Sequence, residues 1–418
     1  MSRLPRSYAR LFAASAVSNL GDGVAASAGP LLALSLTRDA RLIALVTFAA
    51  TLPWLVLSLP AGVWLDRWDR RAAMVRANLG RCAAFALIAV TTWTDTLTIP
   101  LLLAITLAIG ACEVVFDMAA QAFLPAVVPQ DLLERANGRL YAAEIVTNSF
   151  LGLPLGAWLF AALAAAPFGV NALALLAAGM LLAGVRTLAD GGPAPRTPDA
   201  PVAPPRRFSR ELREGMAWLW RHRQLRTLAL MLGVANACHT LGASVFVKYA
   251  ADELGLGPRG FGLLLSAMAL GAVAGGLLGE RVARRLGAGP AMVVAYAVFA
   301  VADAVPGLVP HVVAVTISGV VMSVAGTTWN VVTVSLRQRL IPGPLFGRVN
   351  SMYRFLGTGT MAIGAIAGGL IAHRFGLRAT YLVSAVTIAA ALAAGARTLA
   401  RGGDYIAPER TPAPPSIT

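Results

Sequence analysis

Long runs of apolar residues alternate with short polar turns along almost the whole chain. A helix of about 20 apolar residues crosses the roughly 30 Å hydrocarbon core of a bilayer. Because backbone polar groups cannot reach water inside lipid, such runs are expected to be helical. The pattern therefore predicts an all-α membrane protein with twelve transmembrane helices, at residues 11–34, 42–65, 72–92, 99–120, 139–162, 170–188, 225–249, 260–279, 289–306, 311–336, 349–372 and 379–398.

Composition and charge agree with this interpretation. Of the 418 residues, 57% are hydrophobic and 13% are charged, whereas soluble domains have about 25% charged residues. With the N-terminus placed in the cytoplasm, 29 of the 35 basic residues fall in cytoplasmic segments and six in outer loops. The positive-inside rule then predicts that both termini are cytoplasmic, in a bacterial inner membrane. The net charge of +15 is explained by orientation, so we expect no nucleic-acid partner.

The centre of the chain interrupts the apolar pattern. A Pro- and Ala-rich stretch from Gly191 to Pro205 is followed by apolar residues at helical spacing among arginines over 208–226. Such a segment is typical of a helix that lies on the membrane surface. We divide the chain into a six-helix half (1–188), a cytoplasmic linker with an amphipathic helix (189–224), a second six-helix half (225–400) and a disordered cytoplasmic tail (401–418).

The two halves carry an internal repeat. Gly62–Arg71 and Gly276–Arg285 share an acid and three arginines in the same spacing, at an offset of 214 residues. A second set agrees at an offset of 213, with Pro129, Arg135 and Asn137 aligned to Pro342, Arg348 and Asn350. Parallel repeats of this kind predict two pseudo-symmetric halves around a central cavity, which rock to give alternating access.

The segment Gly62–Arg71 resembles the signature G-x-x-x-D-R-x-G-R-R of the major facilitator superfamily, and departs from it at Asp69, where the family usually has Gly. The resemblance covers essentially the whole chain. It implies the major facilitator fold and secondary active transport by alternating access.

Shorter segments resemble the efflux branch similar to the enterobactin exporter. They are Asn19–Gly23, Leu124–Asn137 and Glu211–Gly215. The antiporter glycine motif GPxxGG is incomplete at Gly152–Ala157 and closer at Gly364–Gly369, where Ala365 replaces Pro. The resemblance implies export, and these departures weaken that direction.

Acids inside predicted spans call for an explanation, since an ionised group at the centre of a span costs about 2.5–3.5 kcal/mol on insertion scales. Ser15, Asn19, Asp22 and Ala26 share one face of the first helix. Asp22 either binds protons or a cationic substrate in a cavity, or is neutralised by hydrogen bonds to Asn19 or to a neighbouring helix. Its counterpart at the repeat offset is Asn236, three residues before His239, so the second half supplies uncharged polarity.

Helices four and five carry further polar stripes. Glu113 and Asp117 share a face of helix four, and Glu113 is the second protonation candidate. By the resemblance, Asp117 pairs with the arginines of the Gly62–Arg71 loop. In helix five, Glu144 and Asn148 share a face, and Glu144 lies either in the cavity or at the inner surface. Asp303, near the outer end of helix nine, is expected to be interfacial.

We interpret the repeated loops as gates, whose ion pairs form in one conformation and break in the other. The alternative is ordinary positive-inside anchoring. The gate residues are Gly62, Asp66, Arg67, Arg70, Arg71, Asp117, Glu280, Arg281, Arg284 and Arg285.

No motif supports an enzyme or a metal site. Gly255–Gly260 satisfies GxGxxG, but it lies in a predicted outer loop with no strand before it. Cys82, Cys112 and Cys238 have no metal-ligand spacing, and neither do the four histidines. The only lysine, Lys248, is not in a Walker A loop. We expect no enzymatic activity, no cofactor and no metal.

The sequence thus predicts proton-coupled efflux of an amphipathic small molecule. Uptake or lipid movement on the same scaffold, and a non-transporting membrane receptor, remain alternatives. The expected partners are the substrate, protons and the lipid bilayer, and we expect a monomer.

Overall fold

The computed structural model describes residues 5–65, 68–129, 132–185, 216–341 and 343–401. These residues are almost entirely helical. In chain order the helices are α1 (Arg6–Leu36), α2 (Ala40–Leu65), α3 (Arg70–Trp93), α4 (Ile99–Val127), α5 (Leu133–Glu144, continued by the π-helical Ile145–Gly152 and by Leu153–Ala162), α6 (Ala166–Ala183), α7 (Arg223–Ala243, continued by Phe246–Asp252), α8 (Pro258–Leu286), α9 (Ala288–Leu308), α10 (Val312–Leu340), α11 (Gly343–Phe375) and α12 (Leu377–Arg401).

Ten helices of the described chain are long and apolar enough to cross a membrane, and an eleventh is added if the two pieces of α7, which meet at 41°, form one span. The all-α membrane fold is therefore confirmed, and a count of twelve is compatible with it. α1 is outside that group because polar residues such as Asn19 and Asp22, together with several glycines and serines, lower its mean hydropathy.

The helices of the first half pair in the same way as those of the second half. In the first half α1 packs on α5 and α6, α2 on α4, and α3 on α4 and α6. In the second half α7 packs on α11 and α12, α8 on α10, and α9 on α10 and α12. The halves meet where α2 packs on α11 and where α5 packs on α8. The repeat detected in the two loops thus extends to the packing of the helices.

One close helix crossing appears in both halves. On α5, a side chain at Gly156 would meet the carbonyl oxygen of Val24 and the hydroxyl of Ser27 on α1. On α11, Gly368 stands in the same relation to Leu241 and Ser244 of α7. The Ser27 hydroxyl donates to the Val24 carbonyl oxygen at 3.3 Å, and the Ser244 hydroxyl donates to the Leu241 carbonyl oxygen at 3.1 Å. Small residues allow this approach of two backbones, as is common between membrane helices.

The proposed linker and tail fall mostly on residues 186–215 and 402–418, outside the described residues. Residues 216–221 are helical and precede α7. The division of the chain into those four segments stays a prediction.

Candidate functional site

An ion pair joins α1 and α3 inside the first half. The Arg81 Nη2 atom lies 2.5 Å from the Asp22 Oδ1 atom. Only 4% of the arginine side chain and 23% of the aspartate side chain are exposed. Of the alternatives for Asp22, the structure shows a bond to a neighbouring helix, and the partner is a cation.

Arg81 is the residue that sequence reasoning missed. Arg81 lies in the middle of the third predicted span (72–92) but is counted with the cytoplasmic arginines, whereas the structure buries it between helices. α3 begins at Arg70, so Arg81 is eleven residues along the helix, about 16 Å from its start. The signal available in the sequence was the spacing itself, since an arginine so far into a span needs a buried partner.

Two acids on α4 extend this pair into a cluster. Glu113 and Asp117, four residues apart on one helical face, both interact electrostatically with Arg81. Asp117 therefore lies near Arg81, and its predicted pairing with the Gly62–Arg71 loop stays a prediction. We call Asp22, Arg81, Glu113 and Asp117 the acid–arginine cluster. Within it, Arg81 is paired with Asp22, and Glu113 and Asp117 are partly buried on the neighbouring helix α4.

The polar stripe on α1 leads to the cluster. The Asn19 side-chain amide donates to the Ser15 hydroxyl at 3.1 Å, as expected for residues four apart on one face. Asn19 and Asp22 are partly buried, whereas Ala26 at the far end of the stripe is exposed. This face of α1 is therefore not fully covered by other helices.

On α5, Glu144 and Asn148 differ in their relation to the cluster. Glu144 is exposed at the point where the helix becomes π-helical, and within the described residues no ion pair joins it to Arg81. The main chain of Asn148 lies against Gly23 of α1, beside Asp22. A π-helical segment is a frequent mark of functional sites. Asn148 is thus brought next to the cluster, and Glu144 is not.

In the second half, the counterpart of Asp22 has a different role. The Asn236 side-chain amide donates to the Gly357 carbonyl oxygen on α11 at 2.9 Å. The neighbouring His239 is exposed, and the buried Thr240 hydroxyl donates to the Asn236 carbonyl oxygen at 2.9 Å. Asn236 therefore joins two helices of its own half, and the structure shows no bond between its side chain and the acid–arginine cluster in the described part of the chain.

The predicted gate is only partly described. Asp66, Arg67 and the side chain of Glu280 are outside the described residues, and Gly62 lies in the last turns of α2. Arg70 is exposed at the start of α3, and Arg281, Arg284 and Arg285 are exposed near the end of α8. The gate stays a prediction.

Two neighbours at the start of α3 have clear structural roles. Asp69, where the chain departs from the family signature, caps α3, since its Oδ1 atom accepts from the Ala72 amide at 2.6 Å. The Arg71 guanidinium donates to the Val185 carbonyl oxygen, just beyond α6, at 3.0 Å. The gate loop is therefore anchored to its own half.

Ion pairs join the two halves at the opposite end of the helices, which is predicted to be the outer side. Arg38 lies 3.4 Å from Asp252. The His373 Nδ1 atom lies 3.8 Å from Asp39, which makes an ion pair when the imidazole is protonated. Asp252 also pairs with Lys248 on α7. A hydrogen bond from the Arg41 side chain is the main cause that lowers the pKa of Asp39. Sequence reasoning missed this group, although its charges stand in the predicted outer loops.

Comparison with known proteins places the whole chain in one family. A family model described as transmembrane secretion effector, within the major facilitator superfamily, matches residues 5–415. The chain belongs to this family. The predicted membership of the superfamily is confirmed, and the chain is a multi-pass membrane transporter rather than an enzyme. The finer resemblance to the enterobactin exporter stays a prediction.

Curated relatives include multidrug efflux pumps. The multidrug efflux pump Tap of Mycolicibacterium fortuitum is 28% identical over 390 residues, which cover 89% of this chain and 90% of that protein. Tap of Mycobacterium tuberculosis is 26% identical over 389 residues, covering 88% and 87%. The transporter is thus homologous to multidrug efflux pumps over most of its length.

Solved structures share the fold at low sequence identity. A bacterial homologue of the iron transporter ferroportin in an inward-facing state has a TM-score of 0.73 at 17% identity, with 96% of this chain and 100% of that chain covered. A bacterial homologue of the lysosomal transporter Spinster, inward-facing and unoccupied, has a TM-score of 0.72 at 14% identity, covering 95% and 98%. These similarities establish the architecture.

Proposed function

We propose that this transporter exports an amphipathic small molecule in exchange for protons, by alternating access. The observation that carries the proposal is the buried ion pair of Asp22 and Arg81, with Glu113 and Asp117 within electrostatic reach. Homology to multidrug efflux pumps supports export of a small molecule.

The charge balance of the acid–arginine cluster favours proton uptake. The Arg81 guanidinium is already paired with Asp22, so a negative charge on the nearby Glu113 is costly in a mostly buried site. A proton or the positive charge of a substrate relieves that cost. The cluster is therefore suited to bind either of them, one at a time, which is what an exchanger requires.

Protonation of Asp22 changes which helices are held together. The charged carboxylate ties α1 to α3 through Arg81. Once Asp22 is neutral, the Arg81 guanidinium is freed to pair with Glu113 or Asp117 on α4. A group whose two protonation states favour different contacts can shift the balance between two conformations.

Polar residues around the cavity complete the proposed site. Asn19 and Asn148 lie on the helices that meet at Asp22, and we assign Asn236 and His239 to the wall contributed by the second half. Glu144 is a further candidate, with the cavity and the inner surface both open to it. The gate at the two repeated loops closes the cytoplasmic side.

The cellular location, orientation and partners of the transporter are part of the same proposal. We place the transporter in the bacterial cell membrane with both termini in the cytoplasm, as a monomer whose partners are its substrate, protons and the bilayer. The arginine distribution supports this orientation.

Flux measurements on the purified chain in sealed lipid vesicles test the proposal. An interior loaded with a pH-sensitive dye reports proton movement while amphipathic dyes and antibiotics are added one at a time outside. We expect at least one compound to release protons from acid-loaded vesicles as it accumulates, and an uncoupler to stop the accumulation. Accumulation that does not depend on the pH gradient would exclude proton coupling. The absence of any flux would favour the alternative of a non-transporting membrane receptor.

A further inference from the structure

The second half contains a buried acid that the proposed function does not use. Asp303 on α9 is 6% exposed and accepts a hydrogen bond from the hydroxyl of Ser384 on α12, which is 1% exposed. The sequence indicated an interfacial residue, because Asp303 lies five residues before the end of α9, or about 7 Å. The interfacial position stays a prediction, and neighbouring helices cover the side chain laterally.

The groups around Asp303 are polar, and the titratable ones have high ordinary pKa values. From α7, the Cys238 thiol lies close to Ser384 and within electrostatic reach of Asp303. From α12, Tyr381 lies within electrostatic reach of the acid. Within the described residues no lysine, arginine or histidine pairs with Asp303, and α8 and α10, which also pack on α9, bring no charged group to it.

This environment favours the neutral form of the acid. Burial of an unpaired carboxylate costs several kcal/mol, and one hydrogen bond from a hydroxyl does not offset that cost. A neutral carboxylic acid requires only hydrogen bonds, which Ser384 supplies at one oxygen, so the other oxygen can hold a proton.

We propose that Asp303 is a proton-binding site of the second half, held as a neutral carboxylic acid and exchanging its proton with the predicted outer side. Asp303 lies only about 7 Å from the end of α9 on that side. The proposal does not rest on proton-coupled efflux through the acid–arginine cluster, since a proton can bind here whatever drives transport.

The site lies beside the bend in α7. Cys238 precedes the break, and Tyr249 follows it and donates to the carbonyl oxygen of Pro306, one turn beyond Asp303. Tyr381 donates to the carbonyl oxygen of Gly242, immediately before the break, at 3.3 Å. Ionisation of Asp303 would draw water between α7, α9 and α12, and would therefore act on the bend.

Infrared spectroscopy of the full chain in unsealed lipid vesicles tests the site directly. The difference between the original chain and Asp303→Asn, recorded from pH 5 to pH 10, isolates the carboxyl group. We expect a protonated-carboxyl carbonyl band at neutral pH that is lost as the pH rises and is replaced by carboxylate bands. The matched control, Asp22→Asn, should instead remove carboxylate bands at neutral pH.

Two results would overturn the proposal. Carboxylate bands of Asp303 at neutral pH would mean that it is ionised, and a carbonyl band unchanged up to pH 10 would mean that its proton does not exchange. If Asp303→Asn does not fold, Ser384→Ala carries the test. Loss of the hydroxyl hydrogen bond should shift the carbonyl band, and an unshifted spectrum would contradict the assignment.

Discussion

The two halves of this transporter share their packing and differ in their buried charges. Gly156 and Gly368 provide the same close crossing in each half. The first half then places the pair Asp22–Arg81 between α1 and α3. At the repeat offset of 214 residues these positions are Asn236 and the buried Ala295.

The second half has its acid elsewhere. Asp303 corresponds at the same offset to Ala89, which has no ionisable side chain. The first half thus has Asp22, paired with a cation, where the second half has an amide, and the second half has Asp303, bonded to a hydroxyl, where the first half has an alanine. The two halves therefore share their helix packing although their buried charged residues differ. Residues that bind protons can thus lie at different positions in two halves of the same fold.

The largest effect is expected when the ion pair loses its cation. Arg81→Leu leaves Asp22 buried without a partner, which should lower the free energy of unfolding by about 3 kcal/mol. Unfolding in detergent, monitored by circular dichroism, measures this change. The double variant Asp22→Asn with Arg81→Gln should recover most of it. Equal losses in the single and double variants would contradict the ion pair.

A smaller and equal effect is expected from closing the two helix crossings. Gly156→Ala and Gly368→Ala each force a methyl group against a backbone carbonyl oxygen, at a cost of about 1–3 kcal/mol. Gly29→Ala is the matched control, since open space surrounds that position. The same unfolding assay compares them. A loss of stability in only one of the two variants would mean that the two helix crossings are not equivalent.

The ion pairs between the halves should contribute less. Asp252→Asn removes the partner of Arg38 and Lys248 at a partly exposed site, where such pairs are worth about 1 kcal/mol or less. We expect a modest rise in the population that is open on this side, measured by distances between spin labels on the α1–α2 and α7–α8 loops. High salt should reproduce the effect in the original chain. An unchanged distance distribution would mean that these ion pairs do not hold the two halves together on this side.

The smallest effect concerns acid pH. The pKa of Asp39 is lowered, chiefly by the hydrogen bond from Arg41. A lowered folded-state pKa contributes stability above the unfolded value and loses it as the pH falls through the folded value. The contacts of Asp39 should therefore persist from neutral pH down to about pH 4 and weaken only below it. The same label distances test this, with Asp39→Asn expected to remove the acid dependence.

Much of the fold could be predicted from the sequence because hydrophobic length and arginine bias act locally. Most helices start and end within about five residues of the predicted spans. α4 and α8 run seven residues beyond the predicted end, and α5 and α11 begin six residues before the predicted start. The partners of buried charges could not be predicted in this way. Whether Arg81 reaches Asp22, or α12 covers Asp303, depends on which helices become neighbours. A single sequence does not encode that in any local pattern.

In the proposed mechanism, Asp22 couples protons to transport. In sealed vesicles, Asp22→Asn fixes the neutral form, so pH-gradient-driven accumulation of a transported dye should be abolished while exchange of that dye without a gradient partly survives. Glu113→Gln is the matched variant and should reduce accumulation less. Full gradient-driven accumulation by Asp22→Asn, together with its loss in Glu113→Gln, would contradict the claim and move the coupling site to α4.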